Sequence, residues 1–221
     1  MLKKILGGLT LALVVLAAFI ATRPADFTLQ RTATLSVTPD VAFTLVNDFR
    51  HWGEWSPWGK LDPNQQTTYS GAESGVGAVY TWSGNDDVGE GRMTIEESKV
   101  NELVRIKLEF IRPFAATNTT TFTFKPTQGG TEVTWAMSGT NNFLSKAFDV
   151  FMDMDAMVGK DFEKGLASMT TAAEAESKKR AEAEAVRVAE ERAAAEKAAA
   201  EAAAAAAPAV EGSAGVAQPT P

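Results

Sequence analysis

The feature that most constrains this fold is a succession of period-two stretches, each closed by a turn signal, that gives way at Asn142 to helical spacing. Phe27, Leu29, Ala33, Leu35 and Val37 alternate with polar residues, as do Val76, Ala78, Tyr80 and Trp82 further on. Met93 with Ile95, then Val104, Ile106, Leu108 and Phe110, repeat the pattern, and Phe122 with Phe124 carries it through a threonine-rich stretch. Val133, Trp135 and Met137 complete it. Side chains on a strand alternate between faces, so each stretch predicts a half-buried strand. The joints, Ser83–Asp87 and Gln128–Gly130, are too short for anything but antiparallel neighbours. After Asn142, Phe148, Phe151, Met152, Val158, Phe162, Leu166 and Met169 recur every three or four residues, which predicts one long amphipathic helix. Between the first strand and the rest, Thr38-Pro39-Asp40 opens a short helix, with Thr38 as cap and Pro39 in the first turn. The order is strand, short helices, about six strands, long helix. An α+β domain whose bent antiparallel sheet wraps a final helix buries one face of each.

The two ends differ from this middle. Lys3 and Lys4 precede an uncharged run from Ile5 to Thr22, about 18 residues or roughly 27 Å as a helix, which is close to a bilayer core. A transmembrane anchor is expected, with a cleaved signal peptide as the alternative. Cleavage after Ala21 or Ala25 would place Phe19 or Arg23 where a small residue is wanted. Lys3, Lys4 and the terminal amine against Arg23 put the N-terminus in the cytoplasm and the domain outside. With cleavage, the domain would be secreted or periplasmic. From about Thr171 to Ala207 the chain is nearly all Ala, Glu, Lys and Arg, a helix-forming composition with pairs such as Glu174–Lys178 and Glu176–Arg180. Val186 and Val188 are its only large apolar residues, too few for a coiled-coil seam, so a solvated helix is expected, with a partner-binding helix as the rival. The expected divisions are an anchor over 1–26, the domain over 27–172, the helical extension over 173–207 and a disordered tail over 208–221.

Composition removes several classes of function. With no cysteine there is no disulfide, zinc–thiolate site or thiol catalysis, and the single histidine, His51, excludes a multi-histidine metal site. A formal charge of −7 argues against nucleic acid as a partner.

The segments Val46-Asn47-Asp48-Phe49, Trp55-Ser56-Pro57-Trp58 and Asp62-Pro63 resemble the opening of many bacterial START/Bet v 1-like proteins, the SRPBCC or polyketide cyclase/dehydrase-like superfamily. Gly75-Val76-Gly77-Ala78, Tyr80-Thr81-Trp82-Ser83-Gly84-Asn85, Gly130-Thr131-Glu132-Val133-Thr134-Trp135 and Met157–Glu163 continue the likeness in order. The resemblance covers roughly residues 27–172. It implies a helix-grip fold, about seven curved antiparallel strands around a long C-terminal helix, with two short helices after strand one and an apolar cavity between. It does not imply one activity.

On that fold Tyr80, Trp82, Met93, Phe110, Phe122, Trp135 and Met137 should look inward from the sheet, met by Phe151 and Met152 from the helix. They either line a pocket for a hydrophobic small molecule or lipid, or fill an ordinary core. Asp155, near the helix's apolar stripe, is the carboxylate expected as a polar anchor. His51 with Asp48 is weighed as an acid–base pair against a helix-end cap. Trp52, Trp55 and Trp58 are weighed as an aromatic entrance against packing of the short helices. Gly84–Asp87 with Glu90 reads as a hairpin turn, since it lacks the spacing of a calcium loop. No catalytic residue, metal site or cofactor is expected. Three functions remain open: a membrane-tethered, non-catalytic pocket protein; a cyclase- or hydrolase-like enzyme using a pocket carboxylate; and an interaction module working through the helical tail. The expected partners are a hydrophobic small molecule or lipid, the membrane through residues 5–22, and a protein through the tail.

Overall fold

A computed structural model describes residues 1–206, so the tail expected over 208–221 lies outside the described residues. A first helix, α1 (Leu2–Thr22), precedes β1 (Asp26–Leu35), α2 (Pro39–Asn47), a 3-10 turn (Phe49–His51) and α3 (Trp52–Trp55). Six strands follow: β2 (Gln66–Gly71), β3 (Ala78–Ser83), β4 (Glu90–Lys99), β5 (Leu103–Arg112), β6 (Ala116–Thr127) and β7 (Gly130–Thr140). Two helices complete the described chain, α4 (Phe143–Phe151) and α5 (Met154–Ala206). All seven strands form one antiparallel sheet in the order β1-β7-β6-β5-β4-β3-β2. The architecture is α+β and helix-grip, as the alternation and the resemblance imply. Between Ile95 and Glu97 the β4–β5 register slips by one residue, a β-bulge of the kind that bends a strand and increases its local twist.

Along each strand the inner face changes character from end to end. At one end Leu35, Val104, Ile106, Phe122 and Val133 are fully buried beneath α2, whose Val41, Phe43, Leu45 and Val46 are buried against them. Each such side chain contributes about 1.5–3 kcal/mol by leaving water. At the other end the inward positions, Phe27 on β1, Leu108 on β5 and Met137 on β7, are only partly buried. Trp52 and Trp55 donate their indole N–H groups to the Val46 and Leu45 carbonyls at 3.1 and 3.0 Å, which ties α3 to α2. Thr38 precedes α2 but makes no side-chain cap, so its carbonyl alone serves the first turn.

The one long helix expected after Asn142 is two. Met152 is extended, with φ −132° and ψ 128°, and the Asp153 carboxylate accepts the Ala156 N–H at 2.9 Å to start a second helix. Apolar spacing continues across the break and so conceals it. α4 buries none of its residues. Beyond it, α5 lies over the sheet through Phe162, Leu166, Met169 and Ala173. Two glycines permit that approach: a Cβ on Gly159 would fall 1.9 Å from Arg31 Nη2, and one on Gly165 would fall 2.7 Å from Trp135 Cζ3.

α1 is the one helix among the described residues that is long and apolar enough to cross a membrane. The chain separates into two units, Met1–Ser177 and Lys178–Pro221. In the second, Ala181 to Ala203 is exposed throughout, and Lys178 reaches Glu182 at 3.9 Å while Arg192 bonds Glu196 at 2.9 Å. These pairs run base to acid, the weaker orientation on a helix. Truncation after Ala181 should therefore shift the unfolding free energy by less than about 0.5 kcal/mol in urea titration; a loss of several kcal/mol would assign the tail a packing role.

Candidate functional site

The inner face opens, at the end where β1 begins and β7 finishes, into a cavity of about 1360 Å³. This exceeds the roughly 300–1,000 Å³ of ordinary small-molecule sites. Its walls come from the sheet (Leu29, Tyr80, Trp82, Met93, Leu108, Met137), from Trp52 and Trp58 of the short-helix region, and from α4 and the start of α5. Of the residues expected to line a pocket, Tyr80, Trp82, Met93, Phe110, Trp135, Met137, Phe151, Met152 and Asp155 all border this space. Phe122 does not. It is 0% exposed and packs in the core against the Trp52, Trp55 and Trp135 rings.

Phe151 and Met152 do not face the sheet from the middle of a helix, as their spacing suggested. They close α4 at the cavity rim, 71% and 44% exposed. Asp155 borders the same space and is ion-paired there. Arg31, inward on β1, bonds the Asp155 carboxylate at 3.3 Å and Glu163 at 2.9 Å, and this pair of contacts holds α5 on the sheet. Both carboxylates keep the Arg31 guanidinium charged, with a pKa raised above its ordinary value chiefly by the bond to Asp155. Arg31 escaped notice in the sequence because it interrupts an apolar alternation.

Polar side chains interleave with the apolar walls, among them Ser56, Thr67, Asn118 and Thr120 and the carboxylates Asp62, Asp87, Asp149, Asp153 and Asp161. Gln65 donates to the Tyr80 hydroxyl at 3.0 Å, and Trp82 Nε1 donates to the Val88 carbonyl at 2.9 Å. Along β6 the inward series runs from Phe124 and Phe122 in the core to Thr120 and Asn118 at the cavity. Asp62, 8% exposed, accepts the Asn64 and Asn85 N–H groups at 2.9 and 2.8 Å and ties the β3–β4 turn to the preceding loop. Asn85 in turn accepts from Asp87, so Gly84–Asp87 is a hydrogen-bonded turn. The indole N–H of Trp135 is the one buried side-chain polar atom with no partner among the described residues. His51 lies away from the cavity and meets Glu54 at 2.9 Å rather than Asp48, whose carboxylate accepts the Arg50 N–H. Trp55 is a packing residue, whereas Trp52 and Trp58 both border the cavity, Trp58 edge-on to Trp135.

Burial, reinforced by Tyr69 and opposed by the Gln65 hydrogen bond, pushes the Tyr80 phenol from 10.0 up to about 12. The chain has two tyrosines, so phenolate absorbance against pH should resolve a late step that Tyr80→Phe removes. Because the folded value lies above the unfolded one, the stability gained by keeping this phenol neutral is complete below pH 10.0 and is lost as the pH rises through about 12. A Tyr80 that titrates at 10.0 would mean that solvent reaches it freely.

The sequence profile of the family described as "Polyketide cyclase / dehydrase and lipid transport" matches residues 26–174. No curated protein matches the sequence at a significant level. Several solved structures share the fold at low identity. A protein of unknown function from Staphylococcus aureus, SA2116, is 13% identical with a TM-score of 0.53, over 69% of this chain and 96% of its own. Protein CV1439 from Chromobacterium violaceum is 14% identical with a TM-score of 0.50, over 66% and 96%. The di-domain ARO/CYC StfQ from the steffimycin biosynthetic pathway is 11% identical with a TM-score of 0.52, over 69% of this chain and 52% of its own, so the match spans about half of StfQ.

Proposed function

We propose that this chain, which belongs to the polyketide cyclase/dehydrase and lipid transport family, is a membrane-tethered protein that binds a hydrophobic small molecule or lipid in its cavity without transforming it. The observation that carries this reading is the cavity itself: about 1360 Å³ of space walled by Tyr80, Trp82, Met93, Leu108 and Met137 and open at one end. Walls of aromatic rings, thioethers and aliphatic groups favour an apolar guest. A proton-transfer role finds less support. Tyr80 holds its proton to about pH 12, and Asp155 is already engaged by Arg31 at the rim. The tether is α1, and Lys3 and Lys4 against Arg23 favour a domain on the outer side of the membrane. Titration of the full chain in detergent with a fluorescent fatty-acid analogue tests the reading. Saturable binding at one site per chain, displaced by unlabelled lipid, is expected. Emission that rises without saturation would reject it.

A further inference from the structure

We infer that the cavity mouth is immersed in the surface of the bilayer that α1 enters, so that the guest passes between membrane and cavity without crossing water. This rests on reading α1 as an uncleaved span and the cavity as a site for a hydrophobic guest. The first observation is reach: Arg23, Pro24 and Ala25 alone separate α1 from β1, and three extended residues span only about 10 Å. The start of β1 is therefore held at the membrane surface. The second is topology. In the antiparallel sheet Asp26 pairs with Thr140, Gly139 with Asn118, and Phe110 with Ala116. The β5–β6 connection bearing Phe114 thus lies at the same end as the start of β1, and Phe114 borders the cavity. The third is contact: α4 packs beside α1, with Lys146 Nζ 3.5 Å from the Ala21 carbonyl.

At this end the protein leaves a set of large apolar side chains bare. Phe114, Phe143, Leu144, Phe148 and Phe151 are 66%, 54%, 53%, 46% and 71% exposed. Such a cluster around a pocket mouth marks a contact surface, and a bilayer is what the adjoining span places against it. Asp149 and Asp153 also border the mouth while Lys146 is the base on α4, so the charges here do not favour an anionic surface, and apolar insertion supplies the attraction.

The absence of cysteine makes the test direct. Phe114→Cys, Phe151→Cys and, on the β4–β5 turn at the opposite end of the sheet, Val100→Cys are nitroxide-labelled in the full chain and reconstituted in phosphatidylcholine vesicles. The labels at 114 and 151 should be shielded from a water-soluble paramagnetic relaxant and open to oxygen, with Val100 the reverse. Unchanged accessibility in high salt is expected. Water-exposed labels at 114 and 151 in a chain that stays in the vesicles through carbonate washing would overturn this inference and leave the tether standing. Release of the chain by the wash would overturn both. Shielded labels in a chain that binds no fatty-acid analogue would support the docking while rejecting the guest.

Discussion

Trp135→Ala should lower the domain's stability by about 3–5 kcal/mol, the cost of deleting a close-packed aromatic core residue. Trp135 borders the cavity but is only 2% exposed. Its ring stacks on Phe162 at 3.9 Å and on Phe122 at 5.0 Å, with Trp55 and Trp58 edge-on at 5.5 and 5.7 Å. Aromatic pairs of this kind add about 0.5–1.5 kcal/mol each beyond area burial. Gly165 lies against the Cζ3 edge of the ring and itself has no side chain to fill the hole. One term opposes the loss: the buried indole N–H has no partner, and its removal relieves about 1–3 kcal/mol of uncompensated desolvation. Trp135→Phe keeps the stack and removes that donor, so it should cost less than about 1.5 kcal/mol. Urea midpoints at constant slope measure both variants. A loss below about 1 kcal/mol in the alanine variant would mean that the ring faces empty space on most sides.

Filling the cavity should have the opposite signature. Leu108 and Met137 are half-buried on neighbouring parts of the inner face, and both border the open volume. A protein carrying Leu108→Trp with Met137→Trp gains ring volume where there are no atoms to displace. The overpacking penalty of about 1–3 kcal/mol that such changes incur in a filled core should not arise. Affinity for the fatty-acid analogue should fall at least about tenfold, or 1.4 kcal/mol, with the urea midpoint unchanged or raised. Loss of folding without loss of binding in the folded fraction would place the guest elsewhere. Together the two variants separate the closed end of the sheet from the open end.

That separation is also where sequence reading reached its limit. Period-two spacing assigns a residue to a face, and it did so for Tyr80, Trp82, Met93, Phe110, Trp135 and Met137, which all look inward. It carries no information on position along the strand axis. Phe122 and Met137 share the inner face, yet the first lies in the core and the second borders the cavity, because α2 packs directly on one end of the sheet while α4 and the start of α5 stand across open space from the other. Helical periodicity likewise ran from Phe148 through Met169 without registering the Asp153 cap that splits α4 from α5. Arg31 was invisible for a related reason. Its partners, Asp155 and Glu163, are 124 and 132 residues away, and only the crossing of β1 by α5 at Gly159 brings them together. The antiparallel order, the short helices after β1 and the family were legible because each is local or carried by contiguous motifs.

Whether the cavity holds a hydrophobic guest in the cell is read by native mass spectrometry of the full chain released gently from its own membranes. A population heavier than the bare chain by one small apolar molecule is expected, absent when the same preparation carries Leu108→Trp with Met137→Trp. Identical bare masses for both proteins, unchanged when extracted membrane lipids are added back, would contradict it.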